Sequence, residues 1–114
     1  MIEINYTKEH IINCEHYRLV VTGHAMTANP GQDLVCASVS SLIYGLCAAV
    51  AGITKGSITD GHMVCRVGYA DLDVWCAEDE TCKRVENYLE PVLCGIRKIA
   101  KEYPLAVKMT EFTS

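Results

Sequence analysis

A two-layer α/β sandwich is the fold class this sequence predicts, with a mixed or antiparallel sheet and two helices packed on one face. Three observations point to it. Strand-period alternation recurs in short segments, two long helix-period segments divide them, and the elements run in ββα-ββ-αβ order. The chain has 114 residues and no linker, low-complexity tract or repeat. A single domain over residues 1–114 is expected.

Residues 1 to 6 alternate, with Ile2, Ile4 and Tyr6 on one side, and predict a strand. Residues 7 to 15 read as a polar connection, and 16 to 24 as a second strand that closes on Gly23-His24-Ala25. A turn-rich stretch, Met26 to Gln32, leads to Asp33-Leu34-Val35-Cys36-Ala37. Asp33 fits a helix N-cap, which makes Leu34, Val35 and Cys36 the first helical residues. That helix runs to about Ile53, where Gly52, Gly56 and the run from Ser57 to Gly61 mark a loop.

Residues 62 to 68 alternate, and 71 to 76 do so again. Gly68-Tyr69-Ala70 between them reads as a tight turn or a bulge. The second helix spans Glu78 to about Tyr103, with Cys82, Val85, Leu89, Val92, Ile96 and Ile99 forming one apolar stripe. Pro91 should kink it, since proline cannot donate to the carbonyl of Asn87. Pro104 ends it, and Leu105 to Phe112 supplies the last strand.

From Leu34 to Thr54 no residue is charged. So long an uncharged run must be tested as a membrane span. Its serines, glycines and tyrosine, and the lack of a basic flank, argue instead for a helix buried on nearly all sides. One face of a helix in a two-layer domain ordinarily meets water, so a second copy of the chain is the simplest cover. A homodimer, with no membrane contact, is expected.

Composition narrows the function classes. Half the residues are hydrophobic and 21% are charged, which excludes disorder. The net charge of −4, with no basic patch, argues against a direct nucleic-acid partner. Seven cysteines invite a disulfide framework, but the count is odd, no export signal is legible, and most sit in periodic apolar patterns. A reduced chain in the cytoplasm is expected.

Cys36 and His24 are the pair that could carry chemistry. A thiol in the first turn of a helix lies at the positive end of the helix dipole, which favours thiolate, and an imidazole at a nearby strand end supplies a base. The plain alternative is a strand-end histidine and a buried core cysteine. Asp33 either caps the helix or orients His24, and a carboxylate close to Cys36 would oppose thiolate formation. Ser40 follows Cys36 by one helical turn and either hydrogen-bonds in the site or permits close packing. His62 and Cys65 make an H-x-x-C pair, but odd spacing on a strand sends them to opposite faces, so no metal is expected. No phosphate-cradling or dinucleotide loop is present, and no cofactor is expected.

Taken together, Gly23-His24-Ala25, Gly31, Asp33-Leu34-Val35-Cys36-Ala37 and Ser40 resemble the signature of the ribosomal-processing cysteine protease family, Prp. The pattern is a Gly-His strand end, a short loop containing Gly, then Asp-x-Val-Cys-Ala and a Ser one turn on. Asp60-Gly61 and Lys101-Glu102-Tyr103-Pro104 also fit, and the likeness is loosest at residues 68 to 78. The resemblance implies a cytoplasmic, homodimeric cysteine endopeptidase with Cys36 as nucleophile and His24 as general base. It places Gly23, Gly31, Asp33 and Ser40 in supporting or substrate-binding roles. The implied substrate is the N-terminal extension of large-subunit ribosomal protein twenty-seven, cut after an apolar, Phe-containing motif and before Ala. The competing classes are a non-enzymatic dimeric peptide-binding adaptor and a thiol redox sensor acting through Cys36.

Overall fold

A computed structural model describes residues 1–23, 30–53, 60–66 and 68–114, with residues 30–33 and 60 described by their backbone alone. The elements are β1 (Ile2–Ile11), β2 (Cys14–Thr22), α1 (Pro30–Ala51), β3 (Asp60–Arg66), β4 (Tyr69–Cys76), α2 (Asp79–Glu102) and β5 (Val107–Thr113). The sheet order is β3-β4-β2-β1-β5. β1 and β5 are parallel and every other pairing is antiparallel, so the sheet is mixed.

Alternation decides which face of the sheet is covered. Ile2, Ile4 and Tyr6 of β1, Tyr17, Leu19 and Val21 of β2, and Ala70, Leu72, Val74 and Cys76 of β4 are all buried. They form one core with Val35, Val39, Ile43, Leu46 and Val50 of α1 and with Val85, Leu89, Leu93 and Ile96 of α2. The predicted two-layer arrangement and element order therefore hold. The helices pack closely where α2 offers Gly95: a Cβ there would come within 3.1 Å of the Leu42 side chain.

Three boundaries differ from the sequence reading. The stretch 7 to 15 is not a connection, because β1 runs on to Ile11 and turns straight into β2 at Cys14. Ile12 and Asn13 make the turn with φ of 44° and 63°, the left-handed pair a two-residue hairpin needs. A β-branched residue seldom takes that conformation, which is why the sequence hides the turn. β3 ends at Arg66 and β4 starts at Tyr69, so Tyr69 and Ala70 are strand residues and Gly68, at φ 80°, precedes the strand. The second helix keeps its predicted span, Asp79–Glu102, with Glu78 as N-cap and Tyr103 as C-cap. Pro91 lies inside this helix on its exposed side, away from the core.

The third difference bears on the site. α1 starts at Pro30, so Asp33 stands within the helix and is not its cap. Proline suits the first helical position because it has no N–H to leave unpaired and its φ is already helical. Nor is the helix buried on nearly all sides. Leu34, Ala37, Ser41, Tyr44, Gly45, Ala48 and Ala51 are exposed, one stripe along its length. Leu34–Ala51 is long and apolar enough to cross a membrane by length and composition, and 33% of it is buried within the chain. The inward residues are the core set named above.

The sheet face away from the helices carries a polar network. Arg18 grips Asp71 with two hydrogen bonds, Nε to Oδ1 at 3.2 Å and Nη2 to Oδ2 at 2.9 Å. The Tyr69 hydroxyl donates to the same carboxylate at 3.3 Å, and His62 Nε2 lies 3.2 Å from it. Next to this, His16 stacks on Trp75 at 4.0 Å between ring centroids and meets Asp73 at 2.9 Å. The Arg18 hydrogen bonds hold the Asp71 carboxyl below the usual carboxylate range, with His62 adding to the effect.

Because the folded pKa is the lower one, this contribution to stability is present above about pH 4 and is lost as pH falls through the folded value. Arg18→Ala should cost about 1–3 kcal/mol at neutral pH, the worth of hydrogen bonds to a buried charge. Urea titrations of the two proteins should converge as pH drops below about 4. A gap that persists in acid would assign the loss to packing.

Candidate active site

Cys36 is half-buried on α1, and it lines a cavity of about 60 Å³ between that helix and the sheet. Ser40 and Tyr44 extend the same wall at successive turns, while Ile2, Val21, Val39, Ile43 and Ala70 form an apolar floor. Gly23, at the end of β2, forms part of the rim. Cys65, Arg66, Gly68 and Tyr69 close the opposite side. The Arg66 guanidinium lies over the Tyr69 ring at 5.4 Å, and the Tyr69 hydroxyl reaches Asp71, so this cation–aromatic pair stacks on the outer face of the sheet behind the rim.

Gly23 is fixed where it is by its neighbours. Its φ is 85°, its N–H donates to the Gly68 carbonyl at 3.1 Å, and a Cβ would come within 2.3 Å of the Met1 carbonyl oxygen. Only glycine satisfies that combination. The bond to Gly68 ties the end of β2 to the β3–β4 turn, so two rims of the cavity are held together next to Cys36.

Of the residues singled out from the sequence, the structure brings Gly23, Cys36 and Ser40 to one cavity. His24 lies outside the described residues. For Gly31 and Asp33 only the backbone is described, and both belong to the opening turn of α1. His62 and Cys65 do separate, His62 to Asp71 on the outer face and Cys65 to the cavity.

Starting the helix at Pro30 changes the electrostatics expected for Cys36. It now sits in the second helical turn, so its N–H belongs to the helix ladder and not to the free first-turn donors. The dipole also falls off within the first turn. Donors for an oxyanion from this helix would be those of residues 31 to 33. A carboxylate carried by a residue of the opening turn is favoured by the helix dipole. Asp33→Asn should then lower stability by about 0.3–1 kcal/mol, a loss that shrinks in high salt. Thermal melts at two salt concentrations check this. Equal stability of the two proteins would restore the capping role, since Asn caps as well as Asp.

The other cavity thiol, Cys65, hydrogen-bonds Cys47, and burial pushes the Cys47 thiol up to about 12. The Cys76 thiol is likewise raised by burial. Those two stay protonated at neutral pH. Cys65, Arg66 and Tyr69 were missed from sequence. They join the site only through the β3–β4 hairpin, whose alternation was legible but whose partner was not.

A half-open apolar cavity with a thiol on a helical wall beside a strand end is a layout that suits a cysteine peptidase. The family model for cysteine protease Prp matches residues 1–108, and the chain belongs to that family. A curated relative, ribosomal processing cysteine protease Prp of Mycoplasma pneumoniae, is 47% identical over 34 residues. That match covers 30% of this chain and 34% of the relative, about a third of its length. Among solved structures, SMU.848 from Streptococcus mutans shares 26% identity with a TM-score of 0.75, covering 100% of this chain and 96% of that one. The essential ribosomal processing protease Prp from S. aureus, in complex with a substrate peptide, has a TM-score of 0.71 at 19% identity, covering 97% and 99%. The same protease with a covalently linked product peptide has a TM-score of 0.70 at 22% identity, with the same coverage.

Proposed function

We propose that this chain is a cysteine endopeptidase that removes a short N-terminal extension from large-subunit ribosomal protein twenty-seven, through a Cys36–His24 dyad. One observation carries the reading: Cys36 faces a cavity whose rim includes Gly23, the residue that precedes His24 in the sequence. The apolar floor of that cavity suits the apolar side chains of such an extension.

In this mechanism His24 takes the proton of Cys36, or holds it already as an imidazolium beside a thiolate. The sulfur attacks the scissile carbonyl and forms a tetrahedral oxyanion, which backbone N–H groups of the opening turn of α1 stabilise. His24 returns the proton to the leaving amine, and water activated by the same imidazole hydrolyses the thioester. Gly23 and Gly31 permit close backbone approach, and Ser40 hydrogen-bonds beside the sulfur. The enzyme needs no metal or cofactor for this chemistry. A site that depends on a reduced thiol fits the cytoplasm.

The exposed stripe of α1 supports a homodimer. Leu34, Ala37, Gly45, Ala48 and Ala51 are small or apolar and face outward, and a second copy would cover them with close helix packing.

The test is to incubate the protein with the extended ribosomal protein and to read the product masses. Release of the extension as one peptide, with a new N-terminal Ala on the ribosomal protein, is the expected result. Stable binding without cleavage would favour a peptide adaptor instead.

A further inference from the structure

Outside the cavity of Cys36 the chain holds a second pair of sulfurs that the proposed peptidase reaction does not use. Cys76 is the last residue of β4 and Cys82 lies in the first turn of α2. Both are buried, and their Sγ atoms lie 2.8 Å apart. Cys82 Sγ also sits 3.5 Å from the Cys76 carbonyl oxygen. Two thiols this close need only a small shift to reach the disulfide bond length of about 2.05 Å. Small molecules can reach Cys82. Cys82 lines a cavity of about 210 Å³ that Tyr17, Glu86, Glu15 and Lys83 also border, several times the roughly 30 Å³ a water occupies.

We propose that Cys76 and Cys82 form a peroxide-oxidisable dithiol site, closing to an intramolecular disulfide that ties the end of β4 to the start of α2. This goes beyond the peptidase reading and does not depend on it.

The chemistry balances with hydrogen peroxide as oxidant. Cys82, the sulfur on the cavity and near the positive end of α2, attacks one peroxide oxygen. An S–O bond forms, the O–O bond breaks, and hydroxide leaves with the thiol proton as water. Cys76 sulfur then attacks the Cys82 sulfenic sulfur. The S–S bond forms, the S–O bond breaks, and the Cys76 proton departs with the second hydroxide as water. The two sulfurs give up two electrons in total, and one peroxide takes both. Burial raises the Cys76 thiol, so Cys82 and not Cys76 makes the first attack.

The sequence supplies a clean readout, because no Lys or Arg lies between the two cysteines. Trypsin therefore leaves both on one peptide, residues 67 to 83, which holds no other cysteine. The protein would be treated with peroxide, quenched in denaturant with iodoacetamide, and digested. The proposal expects this peptide to be about 2 Da lighter and unalkylated, and to gain two alkyl groups only after reduction. In Cys76→Ala, dimedone should label Cys82 as a trapped sulfenic acid. In Cys82→Ala, Cys76 should stay unlabelled. Two alkylatable thiols on the peptide, at a peroxide dose that oxidises exposed Cys94, would overturn the proposal. Dimedone on Cys76 but not on Cys82 in those variants would overturn the order of attack.

Discussion

Cys36→Ala is expected to abolish peptide cleavage while the protein keeps its fold. Loss of a covalent nucleophile removes the step that every later event depends on, and the drop in rate should be on the order of 10⁴-fold or more. The stability cost should be small, about 1 kcal/mol, because Cys36 is half-buried and lines a cavity rather than filling the core. Cys47 and Cys76 offer no substitute nucleophile, since burial raises both thiols. Cleavage assays and thermal melts on the same preparation separate the two effects. A variant that unfolds would show instead that Cys36 is a packing residue.

Ala48→Glu is expected to split the proposed homodimer. Ala48 is exposed within one chain and lies on the outward stripe of α1, so a carboxylate there costs nothing in core packing. Pressed against a second copy it would lose water with no cation to meet, a penalty of several kcal/mol. At about 1.4 kcal/mol per decade, the dimer dissociation constant should rise by roughly two to three orders of magnitude. Sedimentation velocity across micromolar concentrations checks both proteins. Wild type running as a monomer at high concentration would remove the basis for the second copy.

How much of this was legible in the sequence depends on which signal set each feature. Alternation at Ile2, Ile4 and Tyr6, and the helical stripe from Cys82 to Ile99, are local patterns, and the elements they predicted are present. The hairpin at Ile12-Asn13 was hidden because its conformation comes from the pairing of β1 with β2, against the preference of isoleucine. At the head of α1 the helix start was misplaced. Asp33 was read as the cap, and the structure instead starts the helix at Pro30, a residue suited to the first helical position.

For the site, the sequence brought Gly23, Cys36 and Ser40 together, and all three line one cavity. Arg66 and Tyr69 were beyond reach, because the β3–β4 turn meets the end of β2 only through the sheet order and the Gly23–Gly68 bond. The uncharged stretch of α1 announced an unusual helix. Which of its faces stayed uncovered was a matter of helix phase against the sheet, and composition carries no such phase.

The central claim is that the Cys36 thiolate is the reacting group, and alkylation kinetics test it most directly. The protein would be exposed to iodoacetamide near neutral pH and quenched at intervals. The labelling of each cysteine would be mapped by peptide mass while residual cleavage of the extended ribosomal protein is measured. The account predicts that Cys36 is labelled faster than the other six cysteines, and that activity falls in proportion to its labelling alone. Activity that survives full labelling of Cys36, or vanishes while Cys36 is still free, would contradict it.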